Sequence, residues 1–204
     1  MDLTAVQQDA LVELINIGFG RAAAALSKLT GHRVQLEVPH ITMCPIEQMG
    51  DYLRPLVQNE VASVHQIFSG QVEGDALLVL DQNSAAILKE LLTNEPALPL
   101  DLDRSAREVL TEIGNILLNA CLGTFGNLLK VQVSFSVPHL TLETLEGIVS
   151  SIAVGRQGLR YSLIVHAAFR LRNSSLTGYL VIVLGVASIE RLIRALERWE
   201  AEQH

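Results

Sequence analysis

Twice in this chain a carboxylate and a carboxamide stand three residues apart: Glu13 with Asn16, and Glu112 with Asn115. On a helix that spacing puts the two side chains on one face, about one turn apart. A carboxylate offers a fixed negative charge to a lysine or arginine, while an amide donates and accepts at once and so can hold a water molecule in a chosen direction. A glutamine does the latter in small GTPases during attack on phosphorus. At about 100° per residue, Glu13 sits at about 40° and Asn16 at about −20° from Asp9, so the three form one narrow polar stripe. Glu108, Glu112, Asn115 and Asn119 repeat the plan. A solvated helix face accounts for the glutamates, which are good helix formers. It does not account for asparagine, whose amide competes with the backbone, at the same mid-helix place twice.

The elements that must carry these stripes are legible from caps and periodicity. Thr4-x-x-Gln7 reads as a capping box and Gly31 as a C′ residue, which predicts a helix over about 5–29. Its broad apolar face comprises Leu11, Val12, Leu14, Ile15, Phe19, Ala22, Ala23 and Leu26. In the second helix, about 104–129, Leu110, Ile113, Leu117 and Cys121 lie behind the stripe. The two helices belong to an internal repeat, because at an offset of 99 Leu11, Glu13, Asn16 and Ile17 fall on Leu110, Glu112, Asn115 and Ile116. In the same register Val38-Pro39-His40 falls on Val137-Pro138-His139, and later the offset drifts to 104, with Gly74 over Gly178.

Each copy reads as a long helix, a strand ending at Val-Pro-His, an irregular stretch, two strands and a closing helix. The first copy is 5–29, 33–40, 60–69, 73–81 and 84–94. The second is 104–129, 131–140, a segment near 147–155 that would add a strand, 161–172, 176–185 and 188–202. Between the copies, TNEPALPLDLD stops one helix and starts the next. Tight turns between strands require antiparallel pairing. The expected fold is α+β: two tandem pseudo-symmetric repeats, about 1–98 and 99–204, sharing one antiparallel sheet about a pseudo-two-fold axis. Trp199 and the last helix are expected to cap the core of the second half.

Composition narrows the function classes. The chain has 204 residues, 49% hydrophobic and 18% charged, enough for one domain or two intimately packed ones. Twenty-two acidic against fifteen basic residues give a formal charge of −7, which argues against a nucleic-acid partner. With no run of roughly 18 uninterrupted apolar residues, no membrane insertion is expected. The start MDLTAVQQDA has neither the basic nor the apolar region of a signal peptide, so a cytoplasmic location is expected. Cys44 and Cys121 read as buried thiols. His40 and His139 lack neighbouring ligands and read as structural or exposed, and His32, His65, His166 and His204 form no pattern.

At the two stripes the sequence resembles the CheC/CheX/FliY group of response-regulator phosphatases, whose motif is Asp or Ser, then Glu after three residues and Asn after two more, on a long helix. Asp9-Ala-Leu-Val-Glu13-Leu-Ile-Asn16 followed by IGFGRAAAALS is similar to the family's EIGNIGAGNAATALS segment. Glu108-Val-Leu-Thr-Glu112-Ile-Gly-Asn115-Ile keeps Glu-Ile-Gly-Asn-Ile intact. Two motifs in about 200 residues look most like the CheC-type members. Ile15 replaces the usual Gly, Phe19 a small residue and Arg21 an Asn. Glu108 stands where the family has Asp or Ser, and it also fits as the N3 partner of Ser105 in a capping box.

The resemblance implies hydrolysis of the phosphoaspartate of a chemotaxis receiver of the CheY type, which brings its own Mg²⁺ and lysine. No cofactor of the chain's own is implied. Asn16 and Asn115 would each hold a water in line with phosphorus, Glu13 and Glu112 would anchor the receiver's lysine, and Asp9 and Glu108 would help to dock it. The deamidase CheD is a further implied partner. Two other classes compete. A noncatalytic scaffold that sequesters phosphorylated receivers, or joins the flagellar switch, would use the same helix faces. A dinucleotide-binding unit is suggested by Gly18-Phe-Gly20-Arg-Ala-Ala23, which matches GxGxxA. Against it, the second copy has Leu117 and Asn119 in place of the glycines but keeps Glu and Asn.

Overall fold

The computed structural model describes residues 3–57, 60–93, 103–128, 130–153, 160–171 and 174–203. The expected connection around Pro96 and Pro99 falls largely outside them. In chain order the elements are α1 (Ala5–Thr30), β1 (Val34–Pro45), a 3-10 turn (Ile46–Gln48), α2 (Met49–Leu53), β2 (Glu60–Gly70), β3 (Gly74–Asp81) and α3 (Gln82–Thr93). They continue as α4 (Arg104–Leu128), β4 (Val133–Phe135), β5 (His139–Thr144), α5 (Leu145–Ala153), β6 (Arg160–Leu171), β7 (Ser174–Gly185) and α6 (Val186–Gln203).

Seven strands form one sheet in the order β1-β6-β7-β3-β2-β4, with β5 also on β2, and every pair is antiparallel. The hairpins β2–β3 and β6–β7 meet at the centre through β3–β7. The outer strands are exchanged: β1 of the first repeat completes the hairpin of the second, and β4 and β5 complete that of the first. This is the pseudo-two-fold arrangement the repeat implies, and it gives the α+β fold the pattern leads one to expect.

Neither edge strand stops at Val-Pro-His. β1 runs on to Pro45, with its register shifted between Glu37 and His40, where Val38-Pro39 lies. On the other edge the pairing breaks after Phe135 and resumes at His139. Proline has no N–H for the ladder and is tolerated at edges and bulges, so the same dipeptide interrupts both edges without ending them. Within the break, Ser136 donates its N–H to the Ile67 carbonyl at 2.9 Å and its hydroxyl accepts from the Ile67 N–H at 3.0 Å. The segment near 147–155 is helix α5 rather than a strand. Its β-branched residues suggest a strand, but Leu145, Ile148 and Ile152 recur at helical spacing and are all buried. The Thr144 hydroxyl accepts the N–H of Gly147 at its start.

The sheet is covered unequally. α1, α3, α4 and α6 bury one face in a large continuous core to which Leu14, Ile15, Phe19, Leu110, Ile113 and Leu117 contribute. α2, α5 and the 3-10 turn cover part of the other face around Met49, Leu53, Ile148 and Val181. Trp199 belongs to the large core shared by both halves, not to a separate second-half core, and α6 reaches α1 through Gln7, whose amide donates to Glu197 at 3.0 Å. α1 and α4 are each long and apolar enough to cross a bilayer, but their apolar sides are the core of this fold.

Two glycines set how closely the long helices lie. A Cβ on Gly18 would stand 2.9 Å from the Cys121 Cα, so α1 and α4 cross with backbone nearly touching backbone. A Cβ on Gly114 would stand 2.5 Å from Val64 Cγ1, so α4 rests directly on β2. Val64 is β-branched, stiff and buried, and cannot swing aside. Gly114→Ala should therefore cost about 1–3 kcal/mol despite alanine's better helix propensity. Gly123→Ala, where a Cβ meets nothing within 4 Å, should instead stabilise by up to about 1 kcal/mol. Urea unfolding of the two variants measures both.

Candidate functional site

The Thr4–Gln7 capping box forms as expected, with Gln7 N–H to Thr4 Oγ1 at 3.2 Å and Thr4 N–H to Gln7 Oε1 at 2.9 Å. Gly31 closes α1 in the left-handed region at φ 69°. With both ends fixed and Leu11, Leu14, Ile15, Phe19, Ala22 and Leu26 buried, the rotation of α1 is determined; Val12 and Ala23 are half-buried. Asp9, Glu13 and Asn16 consequently face solvent. Among the described residues, no side-chain hydrogen bond or ion pair engages Glu13 or Asn16.

α4 is started by Asp103, whose carboxylate accepts the N–H of Ala106 at 2.7 Å. Ser105 is thus already inside the helix, and the Ser105–Glu108 capping box does not form. Glu108 pairs instead with Arg104 one turn back at 2.9 Å, on the exposed surface. Glu112 is exposed and Asn115 half-buried. Both helices pack into the core on the same side of the sheet, and each carries its glutamate exposed.

The copies are not equivalent in detail. Ile15 is fully buried, whereas its counterpart Gly114 brings the backbone onto Val64. Phe19 also points into the core, and Arg21 donates to Thr124 Oγ1 of α4 at 3.4 Å, tying the helices together beside the Gly18 crossing. The departures on α1 therefore serve its packing and leave its stripe outward. Asn119 donates its amide to Asn115 Oδ1 at 2.6 Å, a contact that the stripe alone does not reveal. Gly18 and Gly20 sit in the middle of α1, not in a turn between strand and helix, which removes the dinucleotide reading.

Comparisons with known proteins bear on this geometry. No family model matches the chain. The CheY-P phosphatase CheC of Bacillus subtilis (strain 168) is 29% identical over 147 residues, covering 71% of this chain and 70% of CheC. The flagellar motor switch phosphatase FliY of the same organism is 27% identical over 144 residues, covering 69% of this chain and 37% of FliY. The crystal structure of Thermotoga maritima FliY matches with a TM-score of 0.78 at 17% identity, covering 98% of this chain and all of that one. The chain is homologous to CheC and FliY. Its fold is that of the crystallised FliY chain.

In this CheC homologue the far side of the sheet holds a pattern the sequence conceals. His40 pairs across the strands with His166, and His139 with His65. These are one arrangement repeated: the His of each Val-Pro-His meets a histidine on the central hairpin of the other half. The signal was available only by combining the repeat offset with the strand exchange. His65 and His139 meet edge to face with ring centroids 5.1 Å apart, and His65 Nε2 lies 3.1 Å from Asp75. His166 stacks on Tyr179 at 5.1 Å, and His40 contacts Thr42 Oγ1 at 2.9 Å. Among the described residues no three potential ligands converge as a metal site would require.

Burial, then the positive charge of the facing histidine, holds His139 and His166 below the ordinary histidine range; Glu143 acts the other way on His139. Such a histidine favours the neutral form when folded. Its contribution is intact above the unfolded pKa of about 6.5 and is lost as pH falls through that value toward the folded one. The melting temperature should fall between pH 7.5 and 5.5, and by less in His139→Gln/His166→Gln, a comparison that thermal melts across that window make directly. For the stripe, an exposed mid-helix asparagine contributes nothing to stability that alanine would not. Asn16→Ala should leave unfolding free energy unchanged or raise it by about 0.5 kcal/mol, by urea titration.

Proposed function

We propose that this chain is a phosphatase for a phosphorylated CheY-like receiver. The observation that carries the reading is the same Glu–Asn pair on both long helices, with Glu13, Asn16 and Glu112 exposed and Asn115 half-buried, in a chain whose relatives CheC and FliY are named phosphatases, CheC for CheY-P. Water attacks phosphorus, a new P–O bond forms, the bond to the aspartyl oxygen breaks, and the products are carboxylate and inorganic phosphate, with the water's proton passing to the phosphate or solvent.

The receiver contributes Mg²⁺ and a lysine that already stabilise charge on the phosphoryl group. What the phosphatase must add is position. Asn16 or Asn115 enters the receiver's site and orients the attacking water through its amide, while Glu13 or Glu112 pairs with the lysine and sets the docking register. Holding one water in line is worth about 10²–10⁴-fold, the range of a general acid–base contribution, with no need of a perturbed side chain. Asp9 lies one turn before Glu13 on the same exposed stripe, where it extends the docking surface; Glu108, held by Arg104, does the same on α4. The reaction would take place in the cytoplasm, and CheD is a further partner consistent with the CheC type.

A sequestering scaffold would use the same surface, but it could not turn over. With the chain at one-tenth the concentration of phosphorylated receiver, a phosphatase shortens the lifetime of the whole receiver pool. A pool lifetime that stays at its intrinsic value while the receiver binds, or one prolonged in proportion to the complex formed, would establish the scaffold instead.

A further inference from the structure

The two Glu–Asn pairs differ in one contact. Asn115 accepts a 2.6 Å hydrogen bond from the amide of Asn119, one turn further along α4. At the offset of the repeat, the residue matching Asn119 is Gly20, which has no side chain to offer Asn16. We propose that Asn119 is a positioning residue that holds the Asn115 amide in one of its two orientations, making the α4 site the faster of the two; this rests on the phosphatase reading above.

An asparagine amide turns about a broad, nearly two-fold torsion, so its oxygen and nitrogen readily exchange places. For a side chain that orients a water, the two orientations are different tools: one presents donors, the other an acceptor. The bond from Asn119 fixes the Asn115 oxygen toward the Asn119 amide and leaves the NH₂ group of Asn115 directed away from that contact, with the second lone pair of the oxygen still available. Asn119 is half-buried beside the α1–α4 crossing, next in sequence to Ala120, whose carbonyl accepts the Thr124 hydroxyl at 2.6 Å. Its own Oδ1 is buried without a hydrogen-bond partner, a cost that a merely space-filling residue at this place would avoid. Asn16 has none of this: it is exposed, without a side-chain hydrogen-bond partner among the described residues, and a Cβ at Gly20 would meet nothing within 4 Å.

The test isolates each site. In an Asn16→Ala background only the α4 site can act, and there Asn119→Ala should lower kcat about two- to tenfold, the range that immobilising one polar side chain spans, with KM unchanged. In an Asn115→Ala background only the α1 site can act, and Gly20→Asn should raise its kcat by a similar factor; a purely structural role for Asn119 predicts no such gain. Relaxation of the Asn115 side-chain amide by ¹⁵N NMR gives a readout free of catalysis, with the group ordered in the wild type and mobile in Asn119→Ala. Thermal melting checks that both variants fold, and the Gly20→Asn arm stands even where Asn119→Ala does not. Unchanged kcat in both arms, with the wild type active, overturns the positioning role and leaves the phosphatase reading in place. A wild type that releases no phosphate from the receiver overturns the phosphatase reading itself, and the catalytic role of Asn119 with it.

Discussion

The exchange of edge strands is the constraint on which the rest depends. β1 is hydrogen-bonded to the hairpin of the second half, and β4 and β5 to that of the first, so neither repeat can complete its sheet alone. Each long helix is followed by the strand that crosses over, through Gly31 to β1 and through Lys130 to β4. A helix tied at its end to the far half of the sheet has little freedom to roll, and both are further confined where Gly18 meets the Cys121 backbone. Their polar stripes point outward as a consequence. The chain builds a platform of packed helices and sheet and places small polar side chains upon it, which suits chemistry in which position rather than acidity is required.

Much of this was legible because the signals were local or repeated. Thr4, Gln7 and Gly31 mark α1 by their own hydrogen bonds and backbone geometry, and the apolar spacing of Leu11, Leu14 and Ile15 fixes its buried face. The stripes follow by subtraction. What escaped reading depended on partners distant in the chain. α5 looks like a strand until Ile148 and Ile152 find a buried surface on the sheet, and Val-Pro-His looks like a strand end until the opposite strand carries the ladder past the proline. The Ser105–Glu108 cap loses to a better local competitor, since Asp103 takes the cap and leaves Glu108 to Arg104. The histidine pairs required both the repeat and the exchange and could not be seen from either alone.

The same duplication shows how two copies diverge under packing. Gly114 lets α4 lie on Val64, and its counterpart Ile15 fills that space with side chain in α1. Arg21 then spans to Thr124, and Asn119 turns to Asn115 where α1 has only Gly20. None of these differences moves Glu13, Asn16 or Glu112 from the exposed surface. The pattern is one of a shared arrangement kept, with its supports rebuilt differently beneath each copy.

The central claim is that the paired asparagines do the chemistry while the surface around them does the docking. The most direct measurement is the lifetime of a phosphorylated CheY-like receiver in the presence of the Asn16→Ala/Asn115→Ala double variant, with binding of the receiver followed in parallel. The account predicts that the double variant binds within a few-fold of the wild type, as rough loss of one surface contact per site allows, yet leaves the receiver's lifetime at its intrinsic value. A double variant that binds and still shortens the lifetime as the wild type does would contradict it.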